Sequence, residues 1–343
     1  MVFHKKTSRI LLCTASLSFL QVPFAQAVDY SVPPDLADTL TLSNVGDTLT
    51  VEVGGTIDTN TGSGGDGVYG EKDSQSIFNY GTIIGGNTEI GRGDGIYASG
   101  SNTIIVNHNL IKSAGRGAIR VYGTDTTNNS VTNYGKISSS GSQSIYFSGS
   151  GASLGRVLNY GDIVSSRSQG IYLSNGDGYG FSIDNFEGGR IWSTRSQGVY
   201  FSQTDGAHFT LKNHKGGQIW STTSQGVYLS STYGYQNTVI NHGEIWSTAD
   251  YGVDVNMRGG QGNRLFNYGS IRSTAEAGVL FSNYYSDPAR VEADILADHH
   301  GITEFVASEN QLFNYGLIES TVSHAVVFES YGRREELTNA GTL

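Results

Sequence analysis

Ten times along this chain a short phrase returns: an apolar residue, a variable one, Asn, usually an aromatic or His, usually Gly, then Ile or Leu. It reads Ile77-Phe-Asn79-Tyr-Gly-Thr-Ile83, Val131-Thr-Asn133-Tyr-Gly-Lys-Ile137, Val157-Leu-Asn159-Tyr-Gly-Asp-Ile163 and Leu265-Phe-Asn267-Tyr-Gly-Ser-Ile271. The other copies centre on Asn107, Asn185, Asn213, Asn241, Asn314 and Asn339. The steps from Asn to Asn are 28, 26, 26, 26, 28, 28, 26, 47 and 25 residues. A near-constant step of this size is the mark of a repeat architecture, in which each unit buries its apolar face only by stacking on its neighbours.

The residue two before Asn is always apolar, whereas the residue just before it varies and includes Asp184 and Lys212. That alternation is the period-2 pattern of a strand with one buried face, and it turns the Asn inward. A buried amide needs partners for both its oxygen and its nitrogen. Asn side chains stacked one per coil satisfy each other in a ladder. A second column follows, as in Gly170-Ile-Tyr172-Leu, Gly198-Val-Tyr200-Phe and Gly226-Val-Tyr228-Leu. Its flanks are apolar while its middle position tolerates Arg120 and Asp254, so the Tyr points outward.

These patterns predict an all-β fold, a parallel β-helix of about ten coils of roughly 26 residues. Coils about 4.8 Å apart make a rod roughly 45–50 Å long. Residues 28–56 read as N-terminal cap strands and 57–343 as the coils. The long step of 47 residues places an insertion at 282–311. Within it Asp287 and Pro288 sit as N-cap and first residue of a short helix.

Residues 1–27 have a basic start, an apolar stretch and Ala25-Gln26-Ala27, the pattern of a secretory signal peptide. The chain is then expected to be exported, to the cell surface, the outer membrane or the medium. Its only Cys, Cys13, lies inside that segment, so the mature chain would be held without disulfides. The net charge is −10. An acidic balance of this kind excludes nucleic acid as the expected partner.

An Asn-x-Gly-x-Ile repeat behind such a segment, in a Gly/Ser-rich acidic chain, resembles the passenger region of Gram-negative autotransporters and haemagglutinin-like adhesins. The resemblance covers residues ~70–343 by repeat pattern. It implies a right-handed β-helix displayed on the cell surface and carried there by a C-terminal membrane β-barrel. No run of alternating ten-residue strands of that kind follows the repeats in this sequence.

For function, the resemblance implies an adhesin-like binding segment or stalk. The expected partner is a glycan or a host or matrix protein, with no cofactor, no metal and no catalytic residue. Three coils place Trp after the recurring Ile, at Trp192, Trp220 and Trp246, and the Tyr column runs through Tyr146, Tyr172, Tyr200 and Tyr228. These seven are the candidate binding residues, because exposed aromatic columns mark contact sites. His108, His214 and His242 fill the aromatic slot after Asn and read as Tyr substitutes. The expectation is that the chain is not an enzyme. The alternative is a secreted polysaccharide hydrolase or lyase, which would need paired carboxylates on one face; Asp162, Glu187, Glu244 and Glu319 are scattered over one part of the repeat.

Overall fold

The computed structural model describes residues 26–343 except 33–34, 62–64, 87–92, 152, 176–177, 204–207, 232–234, 258–261, 284–309 and 331–335. The expected signal segment up to residue 25 and most of the expected insertion at 282–311 lie outside the described residues. So do Asp287 and Pro288.

The chain winds as a parallel β-helix with three sheets running its length. Sheet A has twelve strands, from Asp29–Val32 to Glu336–Asn339, and the last ten bear the Asn. Sheet B holds the strands that carry the following Ile, from Thr56–Asp58 to Leu317–Ser320, and has ten. Sheet C holds the Tyr strands, from Leu40–Leu42 to Val326–Ser330, and has eleven. Every pairing between named strands is parallel and in register, coil on coil, so Ile137 lies beside Ile163 and Asn133 beside Asn159. Residues 28–56 supply the first rungs of these same sheets: Asp29–Val32 pairs with Thr48–Val51, and Leu40–Leu42 pairs with Val68–Gly70. The long step costs the stack no rung, because Asn267 pairs directly with Asn314.

The inward columns make one continuous core. Ile77, Val131, Val157, Ile183 and Leu265 line it from sheet A, Ile83 to Ile318 from sheet B, and Ile96, Ile145, Val199 and Val279 from sheet C. Leu337, in the last rung of sheet A, is 43% exposed.

At the end of the last ten sheet A strands the chain turns inward an amide, where the first two end in Val32 and Val51. Asn79, Asn107, Asn133, Asn159, Asn185, Asn213, Asn241, Asn267, Asn314 and Asn339 form an unbroken ladder. Each Nδ2 donates to the next Oδ1 at 2.8–2.9 Å. The same Nδ2 also reaches a turn carbonyl, as Asn159 does to Gly161 O at 2.9 Å. The glycine that follows is required by closeness: a Cβ on Gly161 would stand 2.1 Å from the Gly135 carbonyl of the coil below.

At the far end of sheet B a buried serine does a parallel job. Ser193 Oγ accepts the N–H groups of Arg195 and Ser196, and Ser221 and Ser247 repeat the pattern. Each of these hydroxyls also donates to a carbonyl of the preceding coil; Ser247 Oγ reaches Ser224 O at 2.6 Å. The B–C corner is thus a small hydrogen-bonded cap repeated up the rod.

Replacing Asn159 by Ala should leave the buried Asn185 Oδ1 without its ladder donor and remove the acceptor of Asn133 Nδ2. The expected loss is about 2–4 kcal/mol of unfolding free energy in urea titration. A variant as stable as the parent would show that the ladder is not what holds the coils in register.

Candidate functional site

The aromatic residues form three columns on different parts of the rod. Trp192, Trp220 and Trp246 stand in sheet B, paired in register and half-buried. Their ring centroids are 4.7 Å apart with planes within 4°. Tyr146, Tyr172, Tyr200 and Tyr228 stand in sheet C, with centroids 4.8–5.1 Å apart. The candidate residues named from sequence therefore belong to two faces, not one patch.

A third column occupies the corner between sheets A and B, in the slot after each ladder Asn. It runs through Tyr80, His108, Tyr134, Tyr160, Phe186 and His214, and its rings stack at 4.3–4.9 Å. His242, Tyr268 and Tyr315 continue it in a second stacked run. The imidazoles lie parallel to their phenyl-type neighbours, which explains why His and Tyr exchange in this slot.

Near-parallel rings at these separations are too close to lie side by side, so they overlap face on face. Within each run the inner faces are covered and the ring edges meet solvent. The end faces are partly filled too: the Arg190 guanidinium lies 5.6 Å from the Trp192 ring and that of Arg120 lies 5.1 Å from Tyr146. Stacked pairs of this kind stabilise by about 0.5–1.5 kcal/mol beyond their burial. Burial also raises the Tyr172 and Tyr228 phenols above their ordinary pKa, so these hydroxyls stay protonated.

Concave space appears where successive turns differ in length. The A–B turns Phe186-Glu-Gly-Gly189 and His214-Lys-Gly-Gly217 have two more residues than the Tyr-Gly turns, with left-handed Gly188 and Gly216 at φ +81° and +79°. The next turns, His242-Gly243 and Tyr268-Gly269, are short again. Beside the longer Lys215 turn lies a notch of about 340 Å³, lined by Lys215, Gln218, His242, Glu244 and Ser270 over a glycine floor. Gln218 Nε2 donates to Glu244 Oε2 at 3.3 Å. Gln218 and Glu244 each stand two residues before a Trp on the same strand, so they share an outward face with Trp220 and Trp246. Sequence reading had Glu244 only as one of several scattered carboxylates. The signal for the notch was the 28-residue spacing after Asn185 and Asn213.

One further cluster interrupts the Tyr column. Asp94 is 1% exposed, accepts the Gly117 N–H at 2.8 Å and has its Oδ2 3.2 Å from Arg120 Nε without hydrogen-bonding geometry. Burial raises its pKa to about 6, against the pull of Arg120, and the neighbouring Asp66 adds to the rise. Asp66 Oδ1 in turn accepts the N–H groups of Gly93 and Asp94. Arg120 takes the place of a Tyr in the column one coil on, which was the sequence signal for this pair. Among the described residues no three His, Cys, Asp or Glu side chains gather as a metal site requires. No helix among them is long and apolar enough to cross a membrane.

No family model matches the chain, and no curated protein is similar to it. Among solved structures it is similar to the A-module of mannuronan C-5 epimerase AlgE4 of Azotobacter vinelandii. The match has a TM-score of 0.41 and 13% identity over 88% of this chain and 91% of that one. That neighbour is an enzyme, and the expectation from sequence of a chain that is not an enzyme is withdrawn on that finding. A likeness at this level brings neither a reaction nor a residue assignment with it.

Two outcomes follow. Trp220 stacks on two rings, Trp192 and Trp246 on one Trp each, so Trp220→Ala should cost more stability than either end substitution. The difference should be about 0.5–1.5 kcal/mol, read by urea titration. Asp94 has a folded pKa near 6 against an ordinary 3.8. Its contribution to stability is complete below pH ~3.8 and is lost as pH rises through 6. Unfolding free energy should fall by on the order of 3 kcal/mol from this group between pH 4 and 7. Asp94→Asn should flatten that part of the profile.

Proposed function

We propose that the chain is an exported polysaccharide-active β-helix that takes a glycan along the outer face of sheet B. One observation carries this reading: the notch and the Trp column are parts of the same face. Gln218 and Glu244 line the concavity, and two residues further along the same strands stand Trp220 and Trp246. Concave space beside convergent polar groups and an apolar surface is where a small or extended ligand is held.

The notch also holds the residue types that glycosidic chemistry uses. A carboxylate at Glu244 and an imidazole at His242 supply proton acceptor and donor, and the Lys215 ammonium favours developing negative charge. Breaking a glycosidic bond by hydrolysis or elimination needs such an acid and base across one bond. His242 is held in orientation by stacking on Tyr268 at 4.6 Å, and Glu244 by Gln218. The basic, then apolar start ending at Ala25-Gln26-Ala27 supports export, which brings the chain to extracellular or envelope polysaccharide.

Incubating the mature chain with a panel of neutral and acidic polysaccharides should release reducing ends or unsaturated sugars from at least one. Glu244→Gln should then lower kcat by about 10²–10⁴-fold while the Kd for that polysaccharide changes little. Full activity in Glu244→Gln removes the notch as the reacting place. Neither binding nor turnover with any member of the panel removes the polysaccharide reading itself.

A further inference from the structure

The corner between sheets B and C carries charge in an order that the fold does not require. In five consecutive turns the residue two after the buried Ser is placed by the same hydrogen bond: Gly141, Arg167, Arg195, Thr223 and Ala249 each give their N–H to that Ser Oγ. The position accepts Gly, Thr or Ala, so nothing in the turn calls for Arg. Yet two consecutive coils place Arg there, about one 4.8 Å rung apart. Like charges on adjacent rungs repel, and the arrangement costs the free protein stability.

Both side chains are exposed. Among the described residues neither guanidinium has a hydrogen-bond or ion-pair partner. The nearest comparable cation on sheet B behaves differently: Arg190 is held by Asp162 through two bonds at 2.6 and 2.7 Å. One position along the same ridge the charge reverses higher up the rod. Ser168 and Ser196 neighbour the two Arg, whereas two successive later coils have Asp250 and Glu276 there. A chain of net charge −10 therefore keeps a short cationic stretch without a carboxylate partner among the described residues, and sets carboxylates on the same corner beyond one neutral coil, that of Thr223 and Ser224. Arg195 stands three residues beyond Trp192, at the edge of the sheet B face, and Arg167 three beyond Val164, which occupies the same column one coil earlier.

We infer that Arg167 and Arg195 bind the acidic groups of a charged glycan, carboxylate or sulfate, as it lies on the Trp face. The inference rests on the polysaccharide reading above and names its substrate class. A planar guanidinium pairs with either oxyanion through two parallel N–H···O bonds. Two of them on adjacent rungs meet acidic groups spaced along one polymer. The carboxylates of Asp250 and Glu276 then limit how far the polymer extends in that direction.

The test measures binding of the mature chain to polygalacturonate, dextran sulfate and unmodified dextran by biolayer interferometry at low and high salt. At low salt the parent should bind at least one acidic probe roughly tenfold or more tighter than dextran, and salt should weaken that binding. The double variant Arg167→Gln/Arg195→Gln should lose about tenfold for the acidic probe and leave dextran unchanged. Lys212→Gln/Arg264→Gln removes the same charge from sheet A and should keep acidic binding. Equal loss in both variants, or none in the ridge variant, overturns the inference. So does a parent that binds dextran as well as the acidic probes, which leaves the polysaccharide reading standing. A parent that binds none of the three, and turns over nothing in the wider panel, ends both.

Discussion

The Asn ladder is the constraint from which the rest of the rod follows. Each buried amide donates a hydrogen bond to the rung on one side and accepts one from the other, and a buried amide left without such partners is costly. A slip of one residue would set an amide against an apolar side chain and turn the core face outward. The ladder runs from Asn79 to Asn339 without a missing bond. Every other column inherits its register.

In-register parallel stacking puts like beside like. For amides, β-branched chains and rings this is favourable, and the chain repeats them. For charge it is not, and the chain mostly alternates: Asp162 lies beside Arg190, and Arg272 beside Glu319. Asp184 lies between Arg156 and His214, at 3.7 and 3.1 Å. The departures from alternation are few, which is what gives the ridge at Arg167 and Arg195 its meaning. Function in such a rod has to be sought where a column breaks its own rule.

That principle also explains what the sequence showed and what it hid. The Asn phrase, the inward Ile and Val columns and the parallel winding were all legible, because each is a periodic property and periods survive without coordinates. The ring slot that accepts His108 and His242 was legible for the same reason. The buried Ser caps were not, since a Ser in a polar turn gives no sign of which way it faces. The notch depends on a difference between adjacent turns, two residues around Lys215 and none at His242, and only stacking turns a difference in length into a shape. The partnership of Asp94 and Arg120 was legible by half: Arg120 stands out in a Tyr slot, but the stacking that sets Asp94 of the coil below against it is not a periodic property of the chain.

The Trp stack has one consequence of another kind. Three indoles held parallel at 4.7 Å are near enough for their excited states to mix, so the light they absorb is shared among coils. The only Trp residues of the chain are these three. The circular dichroism at the long-wavelength edge of the near-ultraviolet, where indole absorbs and Tyr and Phe do not, is therefore a signal from the middle of the rod alone. It would vanish when those coils part, whatever the ends are doing.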